Sequence, residues 1–252
     1  MITGVPLMFH LTAEMLPRRV SSMHVLLFDI DGTLVLKQST DANELERFRR
    51  AIVDEVGRSP PTQPWLYDGM VDPQICRLLL IDVGLSESAA DKHLRRVIER
   101  VGQIYMTMEK HPVLNGGVGE LLKALSVSSK HKLGVLTGNL SVVAEEKLRL
   151  TGIRAYFGER FYSDGYFERR DLVRDAVHTC VKKHRLPGNA SVTVIGDTPR
   201  DVEAAKSSGA KAIAVASGFF SESELASAGP DAVFRDLNPR SDLLKALDFE
   251  IT

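Results

Sequence analysis

The stretch "HVLLFDIDGTLVL", residues 24–36, decides how this chain is read. Its apolar half, Val25–Phe28, is a short run of β-formers without polar alternation, the pattern of a strand buried on both faces. Two carboxylates, Asp29 and Asp31, then flank a single isoleucine, and Gly32 and Thr33 follow directly. Acids at i and i+2 of an extended chain project to the same side. In apolar surroundings such a pair repels and is costly to ionise, and a divalent cation relieves both. Gly32 permits a sharp turn, while Thr33 supplies a hydroxyl and a backbone amide. A lone Asp-Gly is ordinary turn chemistry. An acid pair at the end of a buried strand points to a site.

Similar apolar runs recur at Lys132–Thr137, Val192–Asp197 and Lys211–Ser217, with helix-like segments at Ser141–Leu150, Leu172–Lys183 and Pro199–Ser208. Strands alternating with helices predict a parallel sheet covered on both faces. Between Asp41 and Glu109 the pattern changes. "ANELERFRRAIVDEV", "PQICRLLLIDVG" and "AADKHLRRVIERVGQIYMTME" space their apolar residues three and four apart, which predicts a small helical bundle inserted after the first strand. Within its central loop, Asp72 before Pro73 has the form of a helix N-cap. Ser221 and Glu224 form a potential capping box.

The 252 residues suffice for one large domain or two modest ones, and 44% hydrophobic with 26% charged residues is ordinary for a soluble globular chain. A net charge of −1 provides no basic face for nucleic acid and no attraction to an anionic membrane. Only two cysteines occur, Cys76 and Cys180, expected as reduced core residues in a cytoplasmic protein. Residues 1–22 lack an early basic region and are expected to form a frayed leader, with Met23 an alternative start.

In such sheets ligands bind beyond the carboxyl ends of the strands. Asp29, Thr137 and Asp197 would meet there. "VLTGN" offers the Thr137 hydroxyl and the amides of Gly138 and Asn139 to an anion, although a plain N-cap by Asn139 or Ser141 would look the same. "VIGDTPRD" places Asp197 at a strand end and Asp201 about one turn into the next helix, an oxygen-rich set suited to magnesium. Arg169 or Arg170, just before the following helix, could clamp a phosphoryl oxygen. "NGGVGE", Asn115–Glu120, lacks the strand and Gly-Lys-Ser/Thr of a phosphate loop and serves to return the chain to the sheet. Trp65, Tyr67 and Met70 suit the bundle core or a substrate pocket equally.

"DIDGT", "TGN" and "GDTPRD", in this order, resemble the signature of the haloacid-dehalogenase-like (HAD) superfamily, and more narrowly its phosphoglycolate-phosphatase-like members with a helical C1-type cap. The resemblance spans Val25 to about Leu237. It implies a doubly wound, Rossmann-like α/β core formed by residues 23–36 and 113–252, with residues 37–112 as the cap. It assigns Asp29 as the nucleophile that becomes an aspartyl phosphate and Asp31 as the acid/base. It makes Thr137 the phosphate-binding hydroxyl, and Asp197 the magnesium ligand together with Asp29 and the Asp31 carbonyl. Asp201 becomes a supporting acid. Many relatives have lysine at the third motif, where this chain offers "ERRDL"; Arg169 fits the spacing best. Phosphate is then expected against Asp31, Gly32, Thr33, Thr137, Gly138, Asn139 and Arg169, with Tyr67, Met70 and Asp72 as cap contacts. Mutual repulsion is expected to raise the pKa of Asp31 while the metal holds Asp29 ionised.

The resulting expectation is a magnesium-dependent phosphatase acting on a small phosphorylated metabolite, as a monomer or homodimer. A phosphosugar mutase would share these motifs. A 2-haloacid dehalogenase would lack Asp31, and a non-catalytic binding module would be expected to have lost an acid.

Overall fold

The computed structural model describes residues 23–37, 42–61 and 67–249, with the backbone alone at 42 and 43. The expected leader and Trp65 lie outside the described residues. β1 (His24–Phe28) pairs in parallel with β2 (His131–Leu136) on one side and β4 (Val192–Gly196) on the other. With β3 (Glu159–Phe161), β5 (Lys211–Val215) and β6 (Ala232–Phe234), the sheet runs β3-β2-β1-β4-β5-β6. This strand order is that of the doubly wound nucleotide-binding folds, and its direction of winding reverses between β1 and β4.

Successive side chains of each strand enter opposite cores. Leu26 and Phe28 of β1 join Leu133, Val135, Ile195 and Ile213 under α4 (Val118–Ser126), α5 (Ser141–Leu150) and α9 (Ser241–Ala246). Val25 and Leu27 face the other way, with Val192, Val194 and Ala212, against α6 (Arg169–His184), α7 (Pro199–Ser207) and α8 (Glu222–Ser227). Burial on both faces explains why these strands lack polar alternation. β3 and β6 escaped the sequence reading because each is a three-residue edge strand. β3 carries Glu159, buried against Lys183 and His184, so it never forms an apolar run.

The predicted helical segment between β1 and α4 forms α1 (Ala42–Val56), α2 (Asp72–Asp82) and α3 (Glu87–Thr107). Their apolar stripes close on a core of their own, with Phe48, Ile52, Ile75, Leu79, Leu80, Val97 and Ile104 buried. Leu140 and Val143 share that core, so the helical layer is seated on the start of α5. Capping explains several helix starts. Ser221 and Glu224 form the expected capping box, Thr198 and Asp201 form another at α7, and Ser86 accepts from the Ala89 amide at α3. Asp72, however, is the first residue of α2 rather than its cap, which is Val71. The Asp72 carboxylate is engaged elsewhere, by Arg47. Cys76 and Cys180 are both free and buried. Among the described residues no helix is long and apolar enough to cross a membrane.

Candidate active site

β1 ends at Phe28, and the Asp29 amide extends its ladder by donating to Ile195 O at 2.9 Å. That bond aligns Asp29 with the end of β4, so Asp29 and Asp197 face each other where the winding reverses. The chain then leaves the extended path. Leu34 and Val35 both donate to Ile30 O, and Gly32 turns with φ +82°. Asp31 therefore reaches the same cavity as Asp29 through a turn rather than through strand alternation. Any side chain at Gly32 would be strained by that φ and would collide with the Asp197 carboxylate.

Asn115, in the "NGGVGE" return loop, holds this turn from behind. Its Nδ2 donates to Gly32 O at 3.0 Å and Thr33 O at 2.9 Å, and Ser217 Oγ also donates to Gly32 O, at 2.6 Å. Gly32, Thr33 and Asp201 stand behind the cavity wall. Asp29, Asp31, Thr137, Gly138, Asn139, Arg169 and Asp197 line it, with Tyr67, Met70 and Asp72 on the helical side.

Without a metal ion the two acids are tuned in opposite directions, and Asp31 is held low where a rise was expected. Burial raises the Asp29 pKa to about 6, with Asp201 and Asp31 adding to the rise and Arg169 opposing it. Burial also works to raise Asp31, but Lys147 and Asn139 outweigh it and hold Asp31 below the ordinary carboxylate value. Lys147 Nζ lies 2.7 and 2.8 Å from the two Asp31 oxygens and 3.1 Å from Asn139 Oδ1. Asn139 Nδ2 donates to Asp31 at 2.6 Å and to Thr137 Oγ1 at 3.0 Å. Lys147 was missed in the sequence. Its signal was a lysine on the apolar face of α5, in register with Val143, Ala144 and Leu148.

Asp197 is fully buried. Burial raises its pKa, opposed by Lys37 and reinforced by Asp29 and Asp201. Lys37 Nζ lies 3.7 Å away and pairs more closely with Asp68. Neither Asp197 oxygen accepts a hydrogen bond from any described residue. Oxygens of Asp29, Asp197 and Asp201 lie within 4.8 Å of one another. Asp201 is already engaged: one oxygen accepts from Arg169, the other from the Thr198 amide at 3.1 Å and its hydroxyl at 2.7 Å. Asp29 and Asp197 thus remain as buried oxygen donors with capacity to spare, a set that fits a hard divalent cation.

Between the two arginines the structure distinguishes clearly. Both belong to α6 rather than preceding it. Arg169 is buried, 3.2 Å from Asp29 and paired with Asp201, whereas Arg170 is exposed. The Thr198–Asp201 capping box therefore also positions the Arg169 guanidinium. Thr137 is fully buried. Gly138 has no room for a side chain, which would collide with Met70 O and crowd Arg169. The Asp72 amide donates to Gly138 O at 2.7 Å, and its carboxylate accepts from the Leu140 amide at 2.9 Å. Backbone and side-chain bonds thus tie the first turn of α2 to the Thr137–Leu140 loop.

Acids gathered beyond the strand ends of a doubly wound parallel sheet, under a helical layer, are the arrangement of an α/β hydrolase built around carboxylates. The chain belongs to a particular family of these: the haloacid dehalogenase-like hydrolases, whose pattern matches residues 23–209. It is 29% identical over 225 residues to the phosphoglycolate phosphatase of Synechococcus elongatus, covering 89% of this chain and 97% of that protein. Its fold is similar to that of a hydrolase from Pseudomonas syringae (TM-score 0.66, 24% identity), covering 89% of this chain and 97% of that one. It is also similar in fold to a predicted phosphoglycolate phosphatase from Haemophilus somnus (TM-score 0.66, 21% identity), covering 90% and 99% respectively.

Proposed function

We propose that the protein is a magnesium-dependent phosphatase that hydrolyses a small phosphomonoester through an aspartyl phosphate on Asp29. The observation that carries this reading is the Asp29–Asp197 pair, buried face to face with unpartnered oxygens on Asp197 and with Arg169 and the Thr137–Asn139 loop around it. The relatives described above, phosphoglycolate phosphatase among them, support it.

Phosphate monoesters are inert enough that catalysis must supply an acceleration of up to ~10²¹-fold. In this reading an Asp29 oxygen attacks phosphorus and the leaving alkoxide takes a proton from Asp31. Water then attacks the acyl phosphate and gives its proton to the Asp31 carboxylate, releasing phosphate and restoring Asp29. The incoming phosphate dianion opposes Lys147 and brings Asp31 toward its protonated form for the first step. Arg169, the Thr137 hydroxyl and the amides of Gly138 and Asn139 receive the phosphoryl oxygens. Asp29, Asp197 and the Asp31 carbonyl would hold Mg²⁺, which neutralises phosphoryl charge and keeps Asp29 ionised when bound. Residues 37–112 act as a cap over the substrate. Two free, buried thiols suit a reducing cytoplasm.

Phosphate release from a panel of small phosphoesters, with Mg²⁺ and with EDTA, tests the reading. Magnesium-dependent release is expected. Isomerisation of a sugar phosphate without release would replace the phosphatase with a mutase, and no turnover on any ester would refute both.

A further inference from the structure

The geometry points to a substrate whose alcohol half carries no negative charge and offers apolar surface, rather than a phosphorylated carboxylic acid; the inference rests on the phosphatase reading above. The cavity is divided chemically. Its deep end holds Asp29, Asp31, Asp197, Arg169 and the Thr137–Asn139 loop, while its helical side presents Leu45, Phe48, Tyr67, Met70 and Ile75 among the charged Glu44, Arg47, Asp68 and Asp72, with Phe219 added by the loop after β5. The alcohol half of a phosphoester anchored at Asp29 would lie against those apolar side chains.

A substrate carboxylate would need a cation there, and each lysine and arginine that lines the described cavity (Lys37, Arg47 and Arg169), with Lys147 beside it, is already held by an acid, while Arg200 at its edge donates to the Asp68 carbonyl. Arg47 is buried and forks onto Asp72, with nitrogens 2.8 and 3.0 Å from its two oxygens. Its guanidinium also packs 4.2 Å from the Phe48 ring centre. Lys147 is shared between Asp31 and Glu44, the latter 3.0 Å away. Lys37 lies between Asp68 and Asp197, and Arg169 between Asp29 and Asp201. Taking any of these cations would leave a buried carboxylate uncompensated. Glu44 and Asp68, on the cavity wall, would in addition repel the incoming anion. The flanking stretches 38–41 and 62–66 read QSTD and TQPWL and contribute no lysine or arginine.

The test compares two esters that differ in this one group, 2-phosphoglycolate and 2-hydroxyethyl phosphate, with phenyl phosphate as an apolar third. Phosphate release by the full chain with Mg²⁺ gives kcat/KM for each. The uncharged esters are expected to exceed 2-phosphoglycolate at least tenfold. Equal or better turnover of 2-phosphoglycolate overturns the inference while leaving the phosphatase reading intact. Failure of all three, together with the wider panel, removes that reading and this inference with it. Asp72→Asn frees Arg47, and Glu44→Gln frees Lys147 from one of its acids. In whichever variant folds, the preference is expected to narrow by about tenfold; an unchanged ratio overturns the charge argument.

Discussion

Asp29 and Asp31 are two residues apart, yet their surroundings pull their proton affinities in opposite directions. Asp29 is buried beside Asp201 and Asp31 with Arg169 as its cation, and its pKa rises to about 6. Asp31 is also penalised by burial, but Lys147 and Asn139 overcome the penalty. A carboxyl whose folded pKa exceeds its unfolded value takes up a proton on folding, so stability increases as pH falls through the folded value. Asp29, with Asp197 shifted the same way, should outweigh His131, whose burial lowers its pKa and so works the other way, and make the metal-free protein melt higher at pH 5.5 than at pH 7.5. Asp31 opposes this only below the ordinary carboxylate pKa. Thermal melts in EDTA check the direction; a higher melting temperature at pH 7.5 would contradict the buried-acid account. Asp29→Asn should reduce turnover by at least roughly 10³-fold while raising the metal-free melting temperature at pH 7.5, because it removes a buried charge. Phosphate release and a melt of the same sample measure both. Lys147→Met should move the alkaline limb of the pH dependence of kcat/KM upward, since Asp31, which must be protonated for the first step, loses the partner that holds its pKa low. An unmoved limb would show that Lys147 only fills space.

At the level of elements, the site is a set of loops held by bonds from outside them. The turn after β1 depends on Asn115, which precedes α4 and donates to the carbonyls of Gly32 and Thr33. Asn115→Ala leaves those buried acceptors short of a donor, a loss of about 1–3 kcal/mol. The melting temperature should fall by roughly 2–4 °C for each kcal/mol lost. Activity should fall as well, because the turn carries Asp31. Retained activity in a destabilised protein would limit Asn115 to a structural part. The capping box of α7 does comparable work: the oxygen of Asp201 that Thr198 leaves free accepts from Arg169. Helix capping and orientation of the guanidinium are one arrangement.

Across the whole molecule, the reversal of winding between β1 and β4 brings together Asp29 and Asp197, which are far apart in sequence. The helical layer covers them because Leu140 and Val143 at the start of α5 belong to its core, and because Asp72 bonds the Thr137–Leu140 loop. Substrate binding and packing of the layer are therefore expected to be coupled. The chain has one tryptophan, Trp65, two residues before Tyr67 of the cavity lining. Mg²⁺ with orthovanadate, a mimic of the transferred group, should change its fluorescence in the wild type. Asp197→Asn should abolish the response, and a response that persists in that variant would separate the two events.

The parallel sheet, the inserted helices and the three polar strand ends were legible because each rests on local pattern. Buried strands need continuous apolar runs, amphipathic helices need apolar residues three and four apart, and Ser221 with Glu224 needs only a spacing of three. Lys147, Arg47 and Asn115 were not assigned, since their meaning lies in partners distant along the chain: Asp31, Asp72 and the Gly32 turn. The lowering of the Asp31 pKa escapes the sequence for the same reason. Repulsion between near neighbours is visible in sequence, but the cation that settles the contest is brought in by packing. Sequence determined which groups the protein could use; tertiary structure decided which charges meet, because Coulombic and hydrogen-bonding energies depend on distance in space rather than separation along the chain.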